Sequence, residues 1–78
     1  MRIPWSDLGR PAKAAAAFAR VRAIDPNGEL AEDALAREVE SWARAGQAGR
    51  ALERAEQYVK RYPQGRRLRS VRKLGGLR

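Results

Sequence analysis

Side chains able to carry chemistry are few in this chain, and they are poorly matched to one another. The 78 residues include no histidine and no cysteine, which removes the commonest general base, the commonest metal ligand and every thiolate. The three serines, Ser6, Ser41 and Ser70, therefore have no imidazole to activate them. Glu38 and Glu40 fall on different faces of a helix, so they cannot act as a carboxylate pair. The sequence predicts no enzyme, no metal site and no cofactor.

The most distinctive chemical feature is the distribution of charge. The formal net charge is +8, yet residues 1–59 hold nine basic and nine acidic residues, while residues 60–78 hold eight basic residues and no acid. Five of the basic residues lie on or next to a short predicted helix: Arg66, Arg67, Arg69, Arg72 and Lys73. Such a cluster can bind phosphates or an anionic membrane surface. It can equally be the polar outer face of a capping helix, with Leu68, Val71 and Leu74 turned inward.

Turn signals divide the rest of the chain into helical segments. Glycine- and proline-rich turns interrupt an alanine-rich sequence that shows no strand-like alternation, and apolar residues between the turns recur at helical spacing. We predict three main helices and a short basic carboxy-terminal helix, over residues 11–24, 29–45, 48–62 and 66–74. We expect one all-α domain over residues 1–74 and a short flexible end over residues 75–78.

The chain is similar to itself at a shift of 37 residues. This shift brings Trp5 onto Trp42, Gly9 onto Gly46, Ala14 onto Ala51, Pro26 onto Pro63 and Gly28 onto Gly65. Glycine and proline each require particular backbone geometry, so their joint recurrence weighs more than the alanine match. The pattern predicts two related units, with equivalent turns over residues 9–14 and 46–51.

The second unit carries a family resemblance. Its motif is Leu35-x3-Val39-x2-Trp42-x3-Gly46-x4-Ala51-x3-Ala55-x2-Tyr58-x4-Pro63. It resembles the tetratricopeptide repeat, a helix–turn–helix unit of about 34 residues. The proline-then-small ending over residues 62–65 is similar to that in carboxy-terminal repeats of bacterial cell-envelope and regulatory proteins. The resemblance implies an all-α helical hairpin array of about one and a half repeats.

The resemblance also implies a function. Proteins of this family are non-catalytic protein–protein interaction or assembly modules that bind a protein or peptide through a helix-lined surface. The first helix of each repeat lines the inner surface, and on this chain that criterion selects Asp33, Arg37, Glu40 and Arg44 as the partner-binding groove. The alternative, from a different class, is a small basic adaptor that binds nucleic acid or an anionic membrane surface through residues 60–78.

An incomplete first repeat predicts self-association. Only residues 1–8 precede the first predicted turn, where a complete repeat has a whole helix, and helical stacks usually need about three repeats. We therefore expect a homo-oligomer, with a dimer favoured, that is joined through Trp5, Leu8 and Phe18. The sequence contains no signal peptide or membrane-span pattern. The expected location is the cytoplasm, or the envelope if the chain is a fragment of a longer protein.

Overall fold

The computed structural model describes the backbone of residues 4–77 and the side chains of residues 11–77. Its elements are α1 (Pro4–Ile24), α2 (Glu29–Arg44), α3 (Ala48–Arg61) and α4 (Leu68–Gly75). These described residues form no strand, which confirms the all-α prediction. The structure thus has four helices over this range, where the sequence predicts three main helices and a short basic one.

The start of α1 differs from the prediction. The helix begins at Pro4, not at residue 11, and runs without a break through Gly9 and Pro11. The predicted turn over residues 9–14 is therefore wrong. A proline inside a helix removes one backbone hydrogen-bond donor. The segment that follows is rich in alanine, the residue with the highest intrinsic helix propensity, and this favours a continuous helix. At the aligned position in the second unit, Gly46 has a φ of 77° and ends a helix.

Glycines in the left-handed backbone conformation end two of the helices. At the end of α2, the Gln47 amide donates to the Trp42 carbonyl at 3.0 Å and the Gly46 amide donates to the Ala43 carbonyl at 3.1 Å. This pair of hydrogen bonds is a Schellman motif, which requires positive φ at the glycine. Gly76, with a φ of 79°, takes the same position after α4. The turn between α2 and α3 therefore spans residues 45–47, whereas residues 48–51 of the predicted turn belong to α3.

The helices pack in chain order. Among the described elements, α1 contacts α2, α2 contacts α3, and α4 contacts both α3 and α2. The main core draws on three helices: Leu35, Ala36 and Val39 of α2, Ala51, Ala55 and Tyr58 of α3, and Val71 of α4. α1 instead buries Ala15, which lies outside that cluster. Burial of these apolar side chains supplies the main stabilisation of the fold.

Trp42 packs against this core but is only half-buried. The guanidinium carbon of Arg50 lies 4.8 Å from the centroid of the indole ring, a cation–π distance. The indole Nε1 is buried and has no hydrogen-bond partner among the described residues. Trp42 therefore lies at the edge of the core.

The contact between α4 and α3 depends on a glycine. Gly75 is buried, and a Cβ at this position would overlap that of Ala55. Of the three predicted inward residues, Val71 is buried, Leu68 is half-buried and Leu74 is 42 % exposed. Leu77 also packs against the core, so the packing continues beyond the predicted domain end at residue 74.

Candidate interaction surfaces

A buried carboxylate links three of the helices. Glu38 of α2 is 1 % exposed. Its Oε1 atom accepts hydrogen bonds from Arg22 of α1, at 2.6 Å from Nη2 and 3.0 Å from Nε, and its Oε2 atom accepts one from Arg54 Nε of α3 at 2.5 Å. The backbones of α1 and α3 make no direct contact within the described range. Glu38 therefore links two helices that each pack against α2.

Sequence reasoning missed this role of Glu38. The available signal was its position three residues after Leu35 and four before Trp42, within the apolar stripe of α2. An acid at such a position must be paired if the stripe is buried. Each arginine partner is 16 residues away, so helical spacing alone could not identify them.

A second polar junction fixes the turn that leads into α4. Glu32 Oε2 accepts hydrogen bonds from the Tyr58 hydroxyl at 2.7 Å and from the Arg66 amide at 3.1 Å. The Tyr58 hydroxyl in turn accepts one from the Arg67 amide at 3.0 Å. Burial, and to a smaller extent the hydrogen bond to Glu32, raises the pKa of Tyr58 to about 12. A Cβ at Gly65 would overlap the Tyr58 hydroxyl and lie 2.6 Å from Glu32 Oε2, so the close approach requires glycine.

The predicted groove residues lie along one side of α2 and are already paired. Arg37 Nε is 3.0 Å from Asp33 Oδ2, and Arg44 Nη2 is 3.1 Å from Glu40 Oε2. Asp33 also receives Arg67 Nη2 at 2.8 Å, which connects α2 to the turn before α4. The structure brings these side chains together as a nearly neutral surface, and exposed pairs of this kind stabilise only weakly.

The residues predicted for self-association all belong to α1. Phe18 is half-buried. Trp5 and Leu8 lie within the helix, but their side chains are outside the part of the chain that the structure describes.

An exposed apolar cluster lies at the other end of α1, where it meets α2. Val21 is 36 %, Ile24 is 83 % and Leu30 is 70 % exposed; we call these three residues the corner cluster. Together with Asp25 and Glu29 they line a shallow depression. Val21 and Ile24 continue the helical spacing of Ala14 and Phe18, which forms an apolar stripe of the kind that usually faces a core. They are exposed because α1 has one neighbouring helix, α2, among the described elements.

The predicted anionic-surface residues separate into two groups. Arg66, Arg69 and Lys73 are exposed; Arg67 is also exposed but forms an ion pair with Asp33, and Arg72 is half-buried. Arg69 and Lys73 are one helical turn apart on the side of α4 that faces away from α3.

A further cleft of about 390 Å³ opens where the ends of α1 and α3 come near each other. Leu35 and Tyr62 supply apolar lining, and Arg22, Lys60 and Arg61 supply positive charge. Arg61 Nη2 donates to Asn27 Oδ1 at 2.5 Å, so this guanidinium is used to hold the turn between α1 and α2.

Comparison with protein-family models, with curated proteins and with solved structures finds no match for the chain. Within the described residues, no helix has the length and apolar character needed to cross a membrane. Those residues also contain no cluster of three or more side chains suited to hold a metal ion.

Proposed function

We propose that this chain is a non-catalytic protein–protein interaction and assembly module of the tetratricopeptide type. The order of helix contacts supports this proposal. In a helical hairpin array, α2 and α3 would form one helix–turn–helix unit, α4 would open the next, and α1 would be the second helix of the preceding unit. The contact of α4 with both α2 and α3 fits that arrangement.

The observation that carries the functional proposal is the corner cluster. Isolated exposed apolar side chains are common on protein surfaces, but Val21, Ile24 and Leu30 line one depression together. A contiguous apolar patch with polar residues at its edge is typical of a protein interaction site. An isolated chain of this size also has a high ratio of surface to volume, so covering the patch would stabilise it.

We assign a second copy of the chain as the occupant. Arg20 precedes Val21 along α1, and Asp25 and Glu29 lie between Ile24 and Leu30; all three side chains are exposed. A two-fold contact is reciprocal, so a residue pair that forms once forms twice, and we place the axis across α1 so that the two copies run antiparallel. It would therefore bring Arg20 of each copy towards the two carboxylates of the other. The patch is in this sense complementary to itself in charge.

This assignment moves the predicted contact along α1. The sequence favours Trp5, Leu8 and Phe18, whereas the exposure of Ile24 and Leu30 favours the opposite end of the helix. The proposed oligomer is still a dimer, because a two-fold contact closes on itself and leaves no second copy of the site open.

Size-exclusion chromatography with light scattering, run over a wide range of protein concentration, tests the proposal. The Ile24→Asp/Leu30→Asp double variant should weaken the dimer by at least about tenfold, since each buried leucine or isoleucine side chain contributes about 1.5–3 kcal/mol. Leu52→Asp is the matched control, because Leu52 is a 37 % exposed leucine on α3. A wild-type chain that is monomeric at every concentration would refute self-association.

A further inference from the structure

The charge pattern of α4 differs from that of α2. On α2 each of the two predicted groove arginines has an acidic residue four positions before it. On α4, Arg69 is followed at the same spacing by Lys73, and the sequence has no acid after Glu56. Like charges at this spacing destabilise a helix. Arg66, three positions before Arg69, adds a third exposed cation; we call Arg66, Arg69 and Lys73 the basic stripe.

The basic stripe is held on a fixed support. Val71 is 1 % exposed, and Gly75 is buried against Ala55. The turn that precedes α4 is anchored by the hydrogen bonds of the Arg66 and Arg67 amides to Glu32 and Tyr58. The cations therefore project from a docked helix, and a ligand that binds them need not order this part of the chain.

The same packing argues against two alternative ligands. A helix that binds in the membrane interface places its apolar face among the lipids, but Val71 of α4 is buried in the core and Leu68 packs against it. Proteins that bind single strands stack bases on exposed aromatic rings. No aromatic residue follows Tyr62, and the Tyr62 ring lies 5.3 Å from that of buried Tyr58.

We propose that the basic stripe binds the phosphate backbone of duplex nucleic acid without reading the bases. One helical turn separates Arg69 from Lys73, about 6 Å along the axis, whereas a duplex carries one phosphate for about every 1.7 Å of its axis. Along one strand the spacing is about 3.4 Å, so the two side chains span about two phosphates of that strand. Arg66, Arg69 and Ser70 also line one shallow depression, where the serine hydroxyl can donate to a phosphate oxygen. This function goes beyond protein–protein assembly and does not depend on it.

Fluorescence anisotropy with a labelled random-sequence DNA duplex, titrated between about 50 and 200 mM salt, tests the proposal. The Arg69→Gln/Lys73→Gln double variant should lose about tenfold in affinity, and the slope of log K against log salt should become shallower by about 1.8, or 0.9 for each phosphate contact. The matched control is Lys13→Gln/Arg50→Gln, which removes one exposed lysine from α1 and one exposed arginine from α3. The control should keep the wild-type slope.

Circular dichroism should give the same helix content for both double variants, because all four side chains are exposed. An equal loss of duplex affinity in both variants would overturn the proposal, since net charge and not the stripe would then set binding. Two further results would also overturn it. One is the absence of duplex binding by the wild-type chain at about 50 mM salt. The other is tighter binding to phosphatidylserine vesicles or to a single strand than to the duplex.

Discussion

Glu38 and Arg54 form an ion pair between α2 and α3, with Oε2 and Nε 2.5 Å apart and the carboxylate 1 % exposed. The other oxygen of the same carboxylate pairs with Arg22 of α1. One side chain therefore connects three helices whose outer two do not touch along the described backbone. Removal of a partner from a buried ion pair leaves an uncompensated charge, which is strongly destabilising.

The first prediction is that Glu38→Gln destabilises the fold. We expect a loss of about 3 kcal/mol, the lower end of the range for a broken buried pair, because each arginine side chain is still 24 % exposed. Urea unfolding followed by circular dichroism measures the change. The control is Glu40→Gln, whose exposed pair with Arg44 should contribute less than about 1 kcal/mol. Equal losses in the two variants would show that Glu38 is not a structural link.

The second prediction concerns the close approach at Gly65. Gly65→Ala should cost about 1–3 kcal/mol, because the added methyl overlaps the Tyr58 hydroxyl and the turn must shift. Gly49→Ala is the control: this glycine lies in α3 with open space around it, so alanine should stabilise the chain by up to about 1 kcal/mol. Thermal unfolding of both variants is the measurement. A neutral or stabilising Gly65→Ala would contradict the described junction.

The third prediction is a loss of stability at high pH. Burial raises the pKa of Tyr58 to about 12, above the value of about 10 for an unfolded tyrosine. Stabilisation of the neutral phenol is therefore fully present below about pH 10 and is lost as the pH rises through 12, by up to about 3 kcal/mol. Urea unfolding at several alkaline pH values measures this. The Tyr58→Phe variant has no ionisable group at this position, so its free energy of unfolding should fall less over the same pH range. If the two proteins lose stability in parallel as the pH rises, the raised pKa of Tyr58 is refuted.

The helix boundaries show how far sequence reasoning reaches. The starts of α2 and α3 are predicted at the observed residues, 29 and 48, because glycine-containing turns precede both and apolar residues then recur at helical spacing. The start of α1 is predicted seven residues too late. Gly9 and Pro11 are typical turn residues, but neither requires a turn when the flanking sequence favours a helix. Local residue types restrict where a helix can begin and end, but they do not determine its ends alone.

Packing explains what the sequence could not predict about the surfaces. Val21 and Ile24 have the spacing of a buried stripe, yet a stripe is buried only where another helix covers it. Glu38 shows the reverse case, an acid within a buried stripe whose two arginine partners come from other helices. Neither outcome can be read from spacing within one helix, because each depends on which helices become neighbours.

The most direct test of the assembly proposal uses the absence of cysteine from the chain. With Ile24→Cys, each copy carries a single thiol at the corner cluster. A two-fold axis that passes near residue 24 would bring the two Cα atoms within the separation of about 4.4–6.8 Å that a disulfide requires. Under mild oxidation, Ile24→Cys should form a disulfide-linked dimer much faster than Leu52→Cys, which places its thiol on α3. Equal rates for the two variants, or no linked dimer with Ile24→Cys, would contradict the proposed contact.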